Sequence, residues 1–191
     1  MSADRSNGVR PAAVQLRPWR HDDVPALVAA HRDPSLRRWL RTHLEDARQA
    51  GAWVDREASD REAGVRLSFA VLVEEFAEPV GHVVLGRLAP SGDTAEVGYW
   101  TAPAARGRGV AAAALGAVLV EAAALERAVP LRRFDLRHRV GNDASCRVAQ
   151  KAGFALARVL PADPSGSATE AHLHRLSRPG PDAAVPDSSR C

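Results

Sequence analysis

Lysine is almost missing from this 191-residue chain: of its 26 basic residues only Lys151 is a lysine, the rest being arginines. The arginines alternate with acids, as across residues 56–62, and aromatics make up only 5% of the sequence. The aromatic and basic platform of a nucleic-acid binder is therefore lacking, and no nucleic-acid partner is expected despite a net charge of +3. The two cysteines, Cys146 and Cys191, give neither a disulfide framework nor a zinc-motif spacing. They read as reduced thiols, with no metal assigned. No run of about 18 apolar residues occurs, and the first ten residues are polar and charged, with no apolar signal core. A soluble, cytoplasmic protein with no membrane partner is the expectation.

What is present is enough for one core. With 46% hydrophobic residues the chain suits a single domain over 14–176, preceded by a flexible N-terminus over 1–13 and followed by a disordered tail over 177–191. Alternation predicts a short strand at 14–17, and His21, Asp22 and Asp23 then supply a turn and a helix cap. Helices are expected over 24–31, 35–40 and 44–62. Apolar, β-branched runs at 67–73 and 80–88, parted by Glu78-Pro79, read as a hairpin, and a turn at 90–93 leads to a strand over 94–101. A helix over 111–127, a strand over 133–139, and a helix over 142–152 stopped at Gly153 follow. Two last strands at 154–160 and 171–176 flank a loop over 161–167.

The segment with the clearest chemistry is Arg106-Gly107-Arg108-Gly109-Val110-Ala111, placed between the strand Glu96-Val97-Gly98-Tyr99-Trp100 and a strongly helical run. Glycines let the backbone bring N–H groups close to an anion, and a helix N-terminus adds unpaired donors and its dipole. The spacing also fits a dinucleotide fingerprint, but that motif opens a βαβ unit with an acidic residue about 20 positions on. Here the preceding strands form a meander, and Asp135 lies past that spacing. No Gly-Lys-Ser/Thr follows the glycines, which excludes a Walker loop.

A second segment, running from Asn142 through Ser145 to Gly153-Phe154, separates the readings. Together the two segments resemble the coenzyme A site of the GNAT acetyltransferase superfamily, and most nearly its RimJ/RimL-like branch of ribosomal-protein N-acetyltransferases. In that branch Glu-x-Gly-Tyr-Trp precedes the loop and a serine falls three residues after the asparagine. The resemblance covers about residues 14–176. It implies a mixed α/β fold with a mostly antiparallel central sheet of about six to seven strands, flanked by helices and splayed at the acetyl-CoA site.

By the same resemblance, acetyl-CoA is the co-substrate. Its pyrophosphate lies on the N–H groups of Arg106, Gly107, Arg108, Gly109, Val110 and Ala111, with Arg106 and Arg108 as candidate side-chain partners or solvated loop residues. The pantetheine arm lies against Val97, Gly98 and Tyr99, and Asn142 either bonds that arm, caps its helix, or does both. Acetyl transfer to an amine needs a route for the amine proton, a donor for the developing oxyanion and a partner for the departing thiolate. Glu96 is the first candidate base, with His82, His172 and His174 as alternatives. A backbone N–H between Val97 and Tyr99 is the oxyanion donor. Many GNAT enzymes carry a tyrosine seven residues after the asparagine, where this chain has Ala149. Ser145 is therefore the candidate thiolate partner or a first-turn capping hydroxyl, and Tyr99 is the second choice. The expected acceptor is a primary amine, on a protein N-terminus or a small molecule, bound between segments 24–62 and 160–171. Trp39, Trp53 and Trp100 either wall that pocket or fill the core. A monomer or homodimer is expected. A non-catalytic acyl-CoA sensor of the same fold is the alternative.

Overall fold

The computed structural model describes residues 13–86, 88, 92–125, 130–162 and 169–178. Most of the termini expected to be flexible or disordered, Cys191 and most of the loop over 161–167 lie outside them, as does part of the 90–93 turn. The tail expected from 177 begins later, since Ser177 is in a strand and the Arg178 N–H bonds the Arg132 carbonyl at 2.8 Å. Seven strands form one sheet: β1 (Gln15–Arg17), β2 (Leu67–Leu72), β3 (Gly81–Gly86), β4 (Thr94–Thr101), β5 (Arg133–Arg139), β6 (Ala155–Leu160) and β7 (Ala171–Ser177). Their order is β1-β2-β3-β4-β5-β7-β6, with β4 and β5 the one parallel pair among the described residues. The expected mixed, mostly antiparallel architecture is what forms.

The α-helices among the described residues are α1 (Val24–His31), α2 (Pro34–Trp39), α3 (Ala47–Glu62), α4 (Val110–Ala123) and α5 (Asp143–Lys151). Local chemistry sets their ends. Asp33 accepts from the Leu36 N–H at 2.9 Å, with Pro34 at the first helical position, and Asp46 accepts from the Gln49 N–H at 2.8 Å. Asn142 caps α5 through the Ser145 N–H at 3.2 Å, and Gly153 ends it at φ 85°. The α4 helix stops at Ala123, earlier than the sequence pattern predicts, and residues 126–129 lie outside the described set.

The sheet is covered on both faces, which is why β2 and β3 read as nearly continuous apolar runs. One face packs Val97, Phe134 and Leu136 against Leu115 and Val118 of α4 and Ala149 of α5. The other packs Trp100 and Ala70 against Trp19, Leu27 and Trp53 on the side of α1 and α3. Alternation along β4 thus sends Val97 to one core and Trp100 to the other. Gly81 permits close approach within this frame, because a Cβ there would sit 2.8 Å from the Trp100 backbone oxygen. Gly81→Ala is expected to destabilise the fold by about 2 kcal/mol and to lower Tm in a thermal melt. An unchanged melt would show that the strands part freely there.

The parallel ladder is short. It joins Thr94, Ala95, Glu96 and Val97 to Arg133, Phe134, Asp135 and Leu136, while β4 continues to Thr101 and β5 to Arg139. Beyond Val97 and Leu136 the two strands part, so a gap opens in the middle of the sheet. A bidentate Arg175–Asp135 pair, at 2.6 and 2.7 Å, ties β7 to β5 on one side of that gap.

Candidate active site

The gap is flanked by the glycine loop and the start of α5. Gly107 and Gly109 take φ 75° and 80°, the left-handed region that glycine enters without strain. The first backbone bond of the α4 turn runs from the Ala113 N–H to the Gly109 carbonyl at 3.0 Å. The N–H groups just before it have no intrahelical partner. A cavity of about 460 Å³ is lined by Arg106, Gly107, Gly109, Val110, Ala111 and Ala112 on one side, and by Asn142, Ala144, Ser145 and Val148 on the other. Such a lining suits an anion on backbone donors at one end and a polar, extended chain at the other.

The arginine side chains of the loop are held elsewhere. Arg106 donates to Asp33 at 2.6 Å and to the Thr101 carbonyl at 3.1 Å, pinning the loop to α2. The Ser35 hydroxyl, followed by the Arg106 guanidinium, holds Asp33 down to about 2. Arg108 lies over the Phe76 ring, 5.5 Å from its centroid, and does not line the cavity. Of the two roles expected for these side chains, phosphate partner or solvated loop residue, neither is what they do in this structure, where Arg106 braces the loop against Asp33 and Thr101 and Arg108 covers Phe76.

A second cavity, of about 310 Å³, lies on the other side of β4. His31, Arg41, Thr42, Trp53, His82, Arg137 and Arg139 contribute to its wall. The two cavities share Trp39, Leu40, Tyr99, Trp100, Asn142 and Ser145, so they meet at one place. There the Tyr99 hydroxyl donates to Ser145 Oγ at 3.1 Å. Burial raises the Tyr99 phenol above its usual value, with the Ser145 contact opposing, so the phenol stays protonated near neutral pH.

Val97, Gly98, Tyr99, Asn142 and Ser145 therefore converge where the strands part, as do the loop residues other than Arg108. Of the tryptophans expected either to wall an acceptor pocket or to fill the core, Trp39, Trp53 and Trp100 all line the smaller cavity, and Trp53 and Trp100 are also buried in the core. Glu96 stands one residue outside that wall, which begins on β4 at Val97, and pairs in register with Asp135. His82 is built into the core. Trp19 Nε1 donates to its Nδ1 at 3.1 Å, and burial, reinforced by the Arg66 charge, holds it down to about 3. That makes it a poor base for an amine. His172 and His174 line neither cavity and gather instead with His138 and Cys146.

Sequence reasoning missed His31 and Arg41, because the segments that bring them to the wall carry no motif, whereas Arg137 and Arg139 belong to the densest basic run of the sequence, residues 132–139. Arg41, Arg137 and Arg139 make no ion pair among the described residues, and Arg139 lies 6.0 Å from the Trp39 ring centroid. The smaller cavity is accordingly cationic. Its lining holds no carboxylate.

The family model described as an acetyltransferase (GNAT) domain matches residues 14–155. A ribosomal-protein-serine acetyltransferase of Escherichia coli (strain K12) is 34% identical over 93 residues, covering 49% of this chain and 49% of the relative. The matched stretch thus spans about half the length of that relative. Among solved structures, RimL, a ribosomal L7/L12 alpha-N-protein acetyltransferase in complex with coenzyme A, superposes with a TM-score of 0.75 at 21% identity, covering 87% of this chain and 96% of that one. The microcin C7 self-immunity acetyltransferase MccE, in complex with acetyl-CoA and AMP, gives a TM-score of 0.76 at 16% identity, covering 89% of this chain and 94% of that one. At those identities the structural likeness is one of fold. Among the described residues no helix is long and apolar enough to cross a membrane.

Proposed function

Because the chain belongs to the GNAT acetyltransferase family, we propose that its larger cavity takes acetyl-CoA and its smaller one a primary amine, the acetyl group passing between them in a ternary complex. The observation that carries this reading is the meeting of the two cavities at the Tyr99–Ser145 hydrogen bond. A donor and an acceptor seated on either side would face each other there without a covalent enzyme intermediate.

The backbone donors of residues 106–111 receive the pyrophosphate, and the opened edges of Val97, Gly98 and Tyr99 receive the pantetheine arm. Attack forms the carbon–nitrogen bond, and the carbon–sulfur bond then breaks. A β4 N–H between Val97 and Tyr99 stabilises the charge that develops on the acyl oxygen. Ser145, held by the hydroxyl of Tyr99 that donates to its Oγ, hydrogen-bonds the leaving sulfur. Both hydroxyls are weaker acids than a thiol of pKa about 8.5, so they stabilise the thiolate more than they protonate it. The proton that finally neutralises it comes from the amine, relayed through water. Glu96, one residue beyond the cavity wall, takes that proton from the amine through a water molecule and gives it up by water to the thiolate, which restores its carboxylate.

The acceptor class follows from the wall. Arg41, Arg137 and Arg139, with no carboxylate opposite, favour an amine carried on an anionic molecule, such as the N-terminus of an acidic protein. The named relatives that act on ribosomal proteins support a protein N-terminus.

Calorimetry tests the donor half. Acetyl-CoA should bind the wild-type chain, and Gly109→Trp should weaken it at least about 100-fold, because the side chain fills the loop's face of the cavity. Position 109 has φ 80°, so the variant also loses about 1–3 kcal/mol of stability, and its fold is checked by circular dichroism. Equal binding in a folded variant would move the donor elsewhere. For the acceptor half, thiol release is followed across acidic peptides, basic peptides and polyamines. Faster release with basic acceptors would overturn the anionic class.

A further inference from the structure

We propose that His138, Cys146, His172 and His174 form a four-coordinate zinc site that pins α5 to the sheet. His138 on β5 stands opposite His172 on β7 in the strand register, and His174 lies two residues along β7 on the same face. Cys146 comes down onto them from α5. All four ligating atoms lie within 4.8 Å of one another. Cys146 Sγ is 3.4 Å from His138 Nε2, 3.2 Å from His172 Nδ1 and 3.6 Å from His174 Nε2, and the nitrogens of His138 and His174 are 3.2 Å apart. A tetrahedral ion with bonds of about 2.0 Å to nitrogen and 2.3 Å to sulfur has edges of about 3.3 and 3.5 Å. The four spacings given, 3.2 to 3.6 Å, are close to those edges, and the remaining two, from His172 to the other histidines, lie within 4.8 Å.

A proton on His174 Nε2 can serve His138 Nε2, and the Cys146 proton can serve His172 Nδ1, but a cation engages all four groups at once. The Nδ1 of His138 lies 2.9 Å from the Arg139 carbonyl, which can only accept, so that nitrogen carries the proton and Nε2 offers a lone pair. Cys146 has a single proton to share among the three nitrogens around it. A cation at their centre satisfies all four. The Arg139 carbonyl then does what outer partners of metal-bound histidines do, fixing the tautomer and the ring. Nitrogen and sulfur donors without oxygen exclude magnesium and calcium and suit zinc. Four protein ligands leave no open position, which marks a structural rather than a catalytic ion.

The ligands fall at positions 138, 146, 172 and 174, a spacing that matches no sequential zinc motif. Coordination forms a sulfur–metal bond, breaks the S–H bond of Cys146 and releases its proton to solvent, so affinity rises with pH. Three of the four, Cys146, His172 and His174, line neither cavity. Metal binding can therefore be measured whether or not the acetyl-transfer reading holds.

Cobalt(II) titration of the metal-stripped full chain is the test, with zinc used to displace it. One equivalent of cobalt should give the visible bands of tetrahedral coordination together with a near-ultraviolet thiolate-to-metal band, and zinc should abolish both. Zinc in excess should raise Tm by about 5 °C or more. Cys146→Ser should remove the thiolate band, and His172→Ala should weaken binding at least about 10-fold. His21→Ala, an exposed histidine outside the cluster, should leave the titration unchanged. No binding tighter than about 10 µM, or the same cobalt spectrum in Cys146→Ser, overturns the proposal. So does equal weakening by His21→Ala and His172→Ala.

Discussion

Replacing Ser145 by alanine should lower kcat about 10- to 100-fold while changing acetyl-CoA affinity less than about threefold. Removal of Oγ takes the hydrogen bond from the departing sulfur but leaves the loop donors and the strand edges untouched. The effect is smaller than that of a full general acid because a thiolate is already a fair leaving group. Tyr99→Phe should act alike, since its hydroxyl reaches the site by donating to Ser145 at 3.1 Å. The two hydroxyls work as a unit, so the double variant should be little worse than either single one. Additive losses would mean that they serve separate steps. Undiminished kcat in Ser145→Ala would remove the serine from the chemistry altogether. Glu96→Gln should cost only about two- to fivefold, because its carboxylate acts through water, and the loss should be greatest at low pH, where fewer acceptor amines are already neutral.

Lowering the pH from 7 to 5 should cost the fold about 2 kcal/mol through His82 alone. In the folded chain His82 titrates at about 3, below its usual 6.5, so below pH 6.5 the unfolded chain binds the extra proton. The associated stability is complete above pH 6.5 and is lost as pH falls toward 3. His31, His138 and His174 are also pushed down, chiefly by burial, and add to the same slope. Asp33, at about 2, and Asp23, also lowered, lose their contributions only below the ordinary carboxylate range. The window from pH 7 to 5 therefore isolates the histidines. Urea unfolding at the two pH values, read by tryptophan fluorescence, measures the slope. His82→Phe leaves Trp19 Nε1 without its acceptor and is less stable at both, but its loss between them should be about 2 kcal/mol smaller. Equal slopes in variant and wild type would show that His82 does not carry the effect.

Much of this molecule could be read from residues that act locally. Asn142 caps its helix from three positions away, Gly109 and Gly153 take the turns that glycine alone takes cheaply, and the β5 strand falls where its apolar alternation places it. Legibility fails where distant segments meet. Asp33 and Arg106 are 73 positions apart, and nothing local says that the arginine braces α2 instead of facing a phosphate. His82 looks like any half-exposed strand histidine until Trp19, Trp53 and Trp100 close around it. Most of the cationic wall's charge, Arg137 and Arg139, stands in the basic run of residues 132–139, but that Arg41 joins it from a distant segment is not visible locally. Glu96 has the right strand and the right neighbours, but a wall that begins at the next residue depends on where two strands part, and alternation does not encode that.

The short ladder between β4 and β5 divides the sheet into two leaves, one from β1 to β4 and one from β5 to β6, hinged on four residue pairs. Tyr99 belongs to the first leaf, and Ser145 rides on the helix packed against the second. Their hydroxyl contact therefore spans the hinge and works as a gauge of the angle between the leaves. A change of a few degrees, whether from a guest wedged in the cleft or from a loosened helix, lengthens or shortens one oxygen-to-oxygen distance where the two cavities meet. Mechanical state and chemical competence are in that sense read at the same pair of atoms.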